Sequence, residues 1–151
     1  MCIRDRYNVG AELWSVTSYK RLREQALDAE RFARLNPGET TPTEVTDKLN
    51  TTEGPIIAVS DYMTIVPDQI SRWAPRSFRP LGTDGFGRSD TRDTLRTFFE
   101  IDGPNVVVAV LSSLATEGVI SNDVVAGAIA DYGIDTERTN PFQFETGPAL
   151  T

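Results

Sequence analysis

The segment from Gly82 to Asp90, G-T-D-G-F-G-R-S-D, holds the residues of this chain best suited to chemistry. Glycines allow backbone N–H groups to converge on an anion where a loop enters a helix. The spacing matches neither a Walker loop, which needs G-K-[ST], nor a dinucleotide fingerprint. The alternative, and the commoner use of such loops, is a tight connection that places Phe86 in a domain interface. The residues of this candidate anion or interface loop are Gly82, Asp84, Gly85, Phe86, Gly87, Arg88, Ser89 and Arg92.

Arginine is the second residue type suited to anion recognition, because its planar guanidinium fork binds carboxylate or phosphate through two hydrogen bonds. The six arginines between residues 72 and 96 are Arg72, Arg76, Arg79, Arg88, Arg92 and Arg96. The last three recur at every fourth position, and the last two should share one helix face. The alternative is pairing with the many carboxylates of the chain, and exposed pairs of that kind contribute little to stability.

The residue types that most often perform catalysis or bind metals are scarce in this sequence. It contains no histidine and a single cysteine, Cys2. Histidine is the commonest metal ligand and the usual general base near neutral pH, so structural zinc and cysteine–histidine chemistry are excluded. Asp61, Tyr62 and Asp84 lie near predicted strand ends, but without a histidine or a ligand set they make a weak catalytic site. We therefore predict no catalytic, cofactor-binding or metal-binding residue in this chain.

The net charge of −7 is concentrated in the C-terminal part of the chain. Residues 1–96 contain 14 acids and 14 bases, whereas residues 97–137 contain seven acids and no lysine or arginine. An acidic chain without a basic stripe is a poor nucleic-acid binder. No uninterrupted apolar run approaches the ~20 residues of a membrane span. We therefore predict one globular domain, with neither nucleic acid nor a membrane among its partners.

The elements that position the loop begin with a strand predicted from the β-branched and aromatic residues 9–17. Ser18 should cap a helix over Tyr19–Leu35, which Asn36-Pro37-Gly38 ends. Apolar residues recur at helical spacing along one face of that helix, and a short helix is expected over residues 44–49. The face consists of Tyr19, Leu22, Ala26, Ala29 and Ala33.

The remaining elements alternate strands and helices around the loop. The unbroken apolar run 56–60 predicts a strand buried on both faces, and Asp61 should cap a helix that runs to Trp73 with a bend at Pro67. A strand is expected over 78–81, and Ser89 or Asp90 should cap a helix that carries Leu95, Phe98 and Phe99. Helices are predicted over 104–117 and 122–132, with Gly118 ending the first of them.

This alternation predicts the α/β class, with an open, mainly parallel sheet flanked by helices. Three strands are fewer than the roughly five or six of an average sheet, so we expect the first strand and helix to be missing. Residues 1–6, M-C-I-R-D-R, do not extend the pattern and indicate a non-native start joined to an internal position of a longer protein. The alternative is a short disordered N-terminus. Residues 7–135 should form the truncated domain, and residues 136–151 a flexible, Pro- and Thr-rich tail.

Five motifs, in this order and spacing, resemble the C-terminal, transketolase C-terminal-like domain of the homodimeric-type pyruvate dehydrogenase decarboxylating component. The likeness extends from about Val9 to Ile134, and the wider transketolase-like group shares only a looser F-G-x-S loop. The motifs are W14-S-V-T-S18, A58-V-S-D-Y-M63, P67-D-Q-I70, L81-G-T-D-G-F-G87 with S89-D-T-R92, and V106-V-V-A-V110.

The resemblance implies a bacterial cytoplasmic parent enzyme that decarboxylates pyruvate on thiamine diphosphate with Mg²⁺. It also implies that the acetyl unit passes to the lipoyl group of dihydrolipoyl acetyltransferase, and that the cofactor-binding domains lie upstream. No catalytic or cofactor residue can be transferred to this chain, which should be inactive alone. Its partners would be the rest of its own polypeptide, the homodimer partner and the acetyltransferase, with residues 86–99 as contact surface.

Two other functions remain open from the residues themselves. The chain could be a free-standing α/β module that binds an anionic metabolite at the Gly82–Asp90 loop. It could also dock a basic partner through its acidic C-terminal helices. The sequence leaves undecided whether Arg88 or Arg92 reaches an active site in an assembled dimer.

Overall fold

A computed structural model describes residues 3–143, in which helices surround a small parallel sheet. The helices before the sheet are α1 (Ile3–Tyr7), α2 (Tyr19–Leu35) and α3 (Glu44–Leu49). Strand β1 (Ile56–Val59), helix α4 (Ile65–Asp68), a 3₁₀ turn (Ser71–Trp73) and strand β2 (Phe78–Leu81) follow. Helices α5 (Arg92–Phe98), α6 (Gly103–Thr116) and α7 (Asn122–Tyr132) complete the order. The predicted α/β class is confirmed.

Side-chain caps explain where the longer helices begin. The Ser18 hydroxyl accepts a hydrogen bond from the Arg21 amide at 3.3 Å, so α2 starts where the sequence predicts. The Asp102 carboxylate accepts one from the Asn105 amide at 3.1 Å at the start of α6. Each cap satisfies an N–H group that the first helical turn cannot pair. The predicted bounds of α2, α3 and α7 are confirmed.

Strands β1 and β2 pair in parallel, with Ile56 opposite Phe78 and Val59 opposite Leu81. The connection between them carries α4 and the 3₁₀ turn, as a parallel pair requires a crossover. The prediction that β1 is buried on both faces is wrong, because its first three residues are half-buried and Val59 is 42% exposed. Within residues 3–143, helix α6 packs on β1 and covers this strand only partly.

The strand predicted over residues 9–17 does not form. Residues 8–17 have no regular secondary structure, and the side chain of Leu13 is 97% exposed. A β-strand requires backbone hydrogen bonds to an adjacent strand. Neither β1 nor β2 pairs with this segment. The β-branched and aromatic composition was therefore insufficient to form a strand without a neighbour.

Two predicted helix caps were also wrong. Asp61 caps no helix, because α4 begins only at Ile65; its carboxylate lies 3.8 Å from the guanidinium of Arg96. Helix α5 is capped by Thr91, whose hydroxyl accepts from the Thr94 amide at 3.4 Å, rather than by Ser89 or Asp90. The Asp90 carboxylate accepts instead from the Thr91 amide at 2.8 Å. The helix predicted to run to Trp73 is divided into α4 and the 3₁₀ turn.

The core forms where α6 packs against α7 and β1. Leu111 of α6 and Ala128 of α7 are fully buried, and Ala26 of α2 is buried as well. By length and composition alone, residues 92–116 are apolar enough to cross a membrane. The segment forms two helices instead, because Glu100 adopts a left-handed φ of +59° and Asp102 caps a new helix. Buried core helices satisfy the same compositional test.

Candidate functional site

The loops that follow β1 and β2 are joined at the carboxyl edge of the sheet, where open α/β sheets usually place their functional surface. The Ser60 amide donates to the Leu81 carbonyl at 3.0 Å, and the Thr83 amide donates to the Tyr62 carbonyl at 2.9 Å. The Thr83 hydroxyl donates to the Asp61 carbonyl at 3.0 Å. These hydrogen bonds hold the start of the Gly82–Asp90 loop against residues 60–64.

Gly82 is required by this close approach of two backbones. A Cβ at this position would lie 2.4 Å from the Tyr62 carbonyl oxygen and 2.7 Å from the Thr64 nitrogen. Both atoms belong to the main chain, so neither can turn aside as a flexible side chain could. The first glycine of the motif therefore serves the packing of the two loops.

Asp84 also serves this junction. Its two carboxylate oxygens accept from the Thr64 amide at 3.2 and 3.3 Å. A carboxylate of the loop thus pairs with an amide near the start of α4, where an external anion would otherwise find a donor. The hydrogen bonds of Gly82–Asp84 support the interpretation of this loop as a tight connection.

The second half of the loop lies against residues 139–143, near the C-terminal end of the described chain. Gly85 has a φ of +123°, and a Cβ there would lie 2.5 Å from the Pro141 carbonyl oxygen. Phe86 is 70% exposed, and Gly87 and Ser89 are exposed too. Of the predicted flexible tail, residues 136–143 therefore contribute to the site, whereas residues 144–151 lie outside the described part.

Two arginines converge on one aromatic ring beside the loop. The guanidinium carbon of Arg88 lies 4.5 Å from the ring centre of Phe98, and that of Arg138 lies 5.1 Å from it. Arg138 also donates to the Thr97 carbonyl at 3.0 Å. A cleft beside this ring is lined by Phe86, Gly87, Arg88, Phe98 and residues of the 139–143 turn. Arg92, at the start of α5, is exposed, and neither Arg92 nor Arg138 is among the lining residues. The structure thus brings Phe86, Gly87 and Arg88 together, with Arg92 apart.

The other arginines of the 72–96 segment mostly have partners within the chain. Arg72 pairs with Glu30 and lies 4.4 Å from the ring centre of Trp73. Arg76 donates to the Gly54 carbonyl at 2.8 Å, and Arg96 pairs with Asp61. For Arg72 and Arg96 the internal pairing that the sequence left open is therefore observed.

Glu30 provides a pH-dependent contact between α2 and the 3₁₀ turn. The hydrogen bonds from Arg72 and from the Trp73 indole, the latter at 2.8 Å, lower the pKa of Glu30 below its ordinary 4.5. A lowered folded-state pKa gives stability that is present above pH 4.5 and lost as the pH falls through the folded value.

We expect Glu30→Gln to lower the urea midpoint at pH 7, and expect this difference from wild type to shrink as the pH falls below 4.5. Glu24→Gln on the same helix is the control, because the Glu24 carboxylate forms an exposed ion pair with Lys20 at 3.4 Å. The measurement is urea denaturation of all three chains at a series of pH values. A pH-independent difference for Glu30→Gln would show that its carboxylate charge is not the cause.

Residues 3–143 contain no group of three or more acidic, histidine or cysteine side chains arranged to hold a metal. Sequence reasoning missed Arg138, which lies against the Phe98 ring. It also missed the residues of the C-terminal turn that line the cleft beside this ring, which are Thr139, Asn140, Pro141 and Gln143. The Asn140-Pro141 pair signals a turn, but nothing local indicates that this turn lies against a loop some 50 residues earlier.

The comparisons with known proteins agree with this fold. Residues 3–102 match the model of the transketolase-like TK C-terminal domain. The pyruvate dehydrogenase E1 component of Pseudomonas aeruginosa PAO1 is 47% identical over 141 residues, covering 92% of this chain and 16% of that protein. The same component of Escherichia coli K12 is 43% identical over 137 residues, covering 89% and 15%.

The same component of Mycolicibacterium smegmatis is 45% identical over 130 residues, which cover 85% of this chain and 14% of the relative. The chain thus spans about a sixth of the length of these relatives. Because the family model covers most of the chain, the chain belongs to the family of transketolase-like C-terminal domains.

Proposed function

We propose that this chain acts as the C-terminal part of a pyruvate dehydrogenase E1 component in the bacterial cytoplasm. The parent enzyme converts pyruvate to CO₂ and transfers the acetyl group to the lipoyl group of dihydrolipoyl acetyltransferase. The contribution of this part is structural: it packs against the remainder of its polypeptide and against a second copy. Its likeness to E1 components of three bacteria supports the parent activity.

Thiamine diphosphate with Mg²⁺ is the cofactor of the proposed parent, and the described residues of this chain do not fit it. Mg²⁺ takes oxygen ligands, mainly carboxylates and phosphates, in a near-octahedral arrangement. No set of three candidate side chains meets in residues 3–143, and the Asp84 carboxylate already accepts from the Thr64 amide. We therefore assign the cofactor and the chemistry to other parts of the parent.

The observation that carries the proposal is an apolar patch at the carboxyl edge of the sheet. Val59, Tyr62, Met63 and Ile65 are 42, 69, 55 and 67% exposed, and all four lie within seven consecutive residues. Contiguous exposed apolar surface of this kind marks an interaction site, whereas scattered single residues do not. We name these four residues the edge patch and propose that other parts of the parent cover it.

The extended segment 8–17 supports the same conclusion from the other end of the chain. Leu13, Trp14 and Val16 are 97, 45 and 40% exposed. Their β-branched and aromatic character suits a pleated, half-buried surface, and exposure of such residues forgoes about 25 cal/mol for each Å² of apolar area. A free-standing module, our second candidate function, would leave both surfaces in water, so the structural role is better supported.

The 151-residue chain should enhance the fluorescence of an uncharged hydrophobic dye such as Nile red, because the edge patch is open to solvent. The double variant Tyr62→Ser/Met63→Ser should lose a large part of that signal while keeping the wild-type circular dichroism spectrum. The control is Val119→Ser, which removes a single apolar side chain of similar exposure, 65%, outside the patch.

A longer polypeptide that includes the upstream region of an E1 component should be silent towards the dye. If the 151-residue chain alone is monomeric, melts cooperatively and is silent too, the structural role is contradicted. Dye binding that is lost equally in Val119→Ser would show that the edge patch is not its source.

A further inference from the structure

Two aspartates of this chain are each followed directly by a glycine, at Asp84-Gly85 and at Asp102-Gly103. In such a pair the glycine amide nitrogen can attack the side-chain carboxyl carbon of the aspartate, because glycine has no Cβ to hinder the approach. The product is a five-membered succinimide, which water opens either to aspartate or to isoaspartate. A folded chain permits this reaction only where the carboxylate and the amide are loosely held.

The Asp102 carboxylate is firmly held. Its first oxygen accepts from the Asn105 main-chain amide at 3.1 Å and from the Asn105 side-chain amide at 2.7 Å. The other oxygen accepts from the Thr97 hydroxyl at 2.8 Å. Asp102 caps α6 and Gly103 is the first residue of that helix, so a succinimide would also disrupt the helix start. Reaction at Asp102 therefore requires the loss of several hydrogen bonds to a charged group.

The Asp84 carboxylate has a weaker hold. Both of its oxygens accept from a single donor, the Thr64 amide, at 3.2 and 3.3 Å. These distances lie at the long limit of the range of about 2.7–3.2 Å for N–H donors. One N–H group shared between two oxygens supplies little more than one hydrogen bond. The side chain of Asp84 can therefore turn away from Thr64 at a lower cost than that of Asp102 from its partners.

The Gly85 amide is available as the nucleophile. Gly85 is exposed, and among residues 3–143 its amide meets no hydrogen-bond acceptor. The attack requires the amide to lose its proton, and contact with water allows solvent to remove it. The two reacting groups of this pair are thus both accessible.

The packing of the loop requires this reactive pair. Gly85 has a φ of +123°, and a Cβ there would lie 2.5 Å from the Pro141 carbonyl oxygen, so a side chain is disfavoured at this position. Asp84 joins the loop to the Thr64 amide. The two requirements together place an aspartate directly before a glycine in an exposed part of the loop.

We propose that Asp84-Gly85 is a site of spontaneous isoaspartate formation and that the fold protects Asp102-Gly103 from it. The Gly85 nitrogen bonds to the Asp84 carboxyl carbon, and one carboxylate oxygen leaves as water with the amide proton and one proton from solvent. Water then adds to the main-chain carbonyl carbon of the ring and breaks its bond to the Gly85 nitrogen, which gives isoaspartate.

The modification alters the junction between the loops that follow β1 and β2. In isoaspartate the main chain runs through the former side-chain carbon, which lengthens the backbone by one methylene group. The free carboxylate is then attached directly to Cα, so its contact with the Thr64 amide should be lost. This inference does not depend on the proposed function, because it concerns only the chemistry of residues 84 and 85.

The test incubates the 151-residue chain at neutral pH and physiological temperature. Peptide mapping by mass spectrometry, with electron-transfer fragmentation to distinguish isoaspartate from aspartate, measures both sites over time. In the folded chain Asp84 should isomerise at least about tenfold faster than Asp102, the factor expected from breaking one hydrogen bond to a charged group. In concentrated urea the two sites should react at similar rates, because the unfolded chain holds neither carboxylate.

Asp84→Glu is the control variant, because it keeps the charge but would need a less favoured six-membered ring, so residue 84 should give no detectable isomer. The proposal is overturned if Asp102 isomerises as fast as Asp84 in the folded chain, or if neither reacts there while both react in urea. It is also overturned if urea leaves the ratio of the two rates unchanged, since the neighbouring sequence rather than the fold would then decide it.

The isomerised chain, separated by chromatography, should have a lower urea midpoint than the unmodified chain. Equal midpoints would contradict the expected loss of the contact between Asp84 and the Thr64 amide.

Discussion

Gly82→Ala should lower the free energy of unfolding by about 1–3 kcal/mol, the usual cost of forcing extra volume into a packed site. The new Cβ would lie 2.4 Å from the Tyr62 carbonyl oxygen and 2.7 Å from the Thr64 nitrogen. Relief of that overlap requires the two loops to separate, which breaks the 2.9 Å hydrogen bond from the Thr83 amide to Tyr62. The edge patch would shift with them, since Tyr62 and Met63 lie in the displaced segment.

Gly87→Ala is the matched control in the same loop. A Cβ at Gly87 would have no neighbour within 4 Å, and the residue does not adopt a positive φ. Gly87→Ala should change the free energy of unfolding by less than about 1 kcal/mol. If the alanine only reduces the conformational freedom of the unfolded chain, the change should be stabilising. Urea denaturation of both variants and wild type measures the difference. Equal midpoints for the two variants would contradict the close approach at Gly82.

Helices α2, α3 and α7 could be predicted from the sequence because their signals are local. Ser18, the apolar spacing of α2 and Asn36-Pro37-Gly38 all lie within 21 consecutive residues, and the helix forms over Tyr19–Leu35. Gly118 likewise ends α6, with a φ of +75°. Capping and periodicity act over one or two turns, so a short window of sequence contains the physics that decides them.

The wrong predictions fell where the outcome depends on distant residues. Residues 9–17 have strand composition, but a strand needs a neighbour, and composition does not supply one. Asp61 is a favoured cap residue, yet its carboxylate pairs with Arg96, 35 residues later in the chain. Helix α5 is capped by Thr91 rather than by the predicted Ser89 or Asp90, because the helix starts at Arg92. Helix bounds are commonly uncertain by such one- or two-residue shifts.

Only the part of the candidate site that depends on neighbouring residues could be predicted from the sequence. The Gly82–Asp90 loop stood out by composition, and the structure places it at the carboxyl edge of the sheet, after β2. The shared contact of Arg88 and Arg138 with Phe98 could not be predicted, because the two arginines are 50 residues apart in the sequence. Nothing in the spacing of these residues indicates that they share a ring. Long-range pairing of this kind is a property of the fold rather than of any motif.

Leu111→Ala should produce the largest loss of stability, about 2–5 kcal/mol, the range for truncating a buried leucine. Leu111 is fully buried in the middle of α6, the helix that packs against both α7 and β1. The alanine would leave a cavity at a fully buried position, which the surrounding structure can fill only in part. Since a domain is stable by only about 5–15 kcal/mol, such a loss removes a large share of the total.

Val119→Ala is the control, because Val119 is 65% exposed just after α6 and should change the free energy of unfolding by less than about 0.5 kcal/mol. Chemical denaturation of the 151-residue chain measures both variants, and a loss below about 1 kcal/mol for Leu111→Ala would contradict its place in the core. The same pair, measured within a complete E1 component, separates two sources of stability. Packing inside the domain should make Leu111→Ala costly in both settings. Contacts that cover the edge patch should raise the melting temperature only in the complete enzyme, because a partner that binds the folded state and not the unfolded state stabilises the fold.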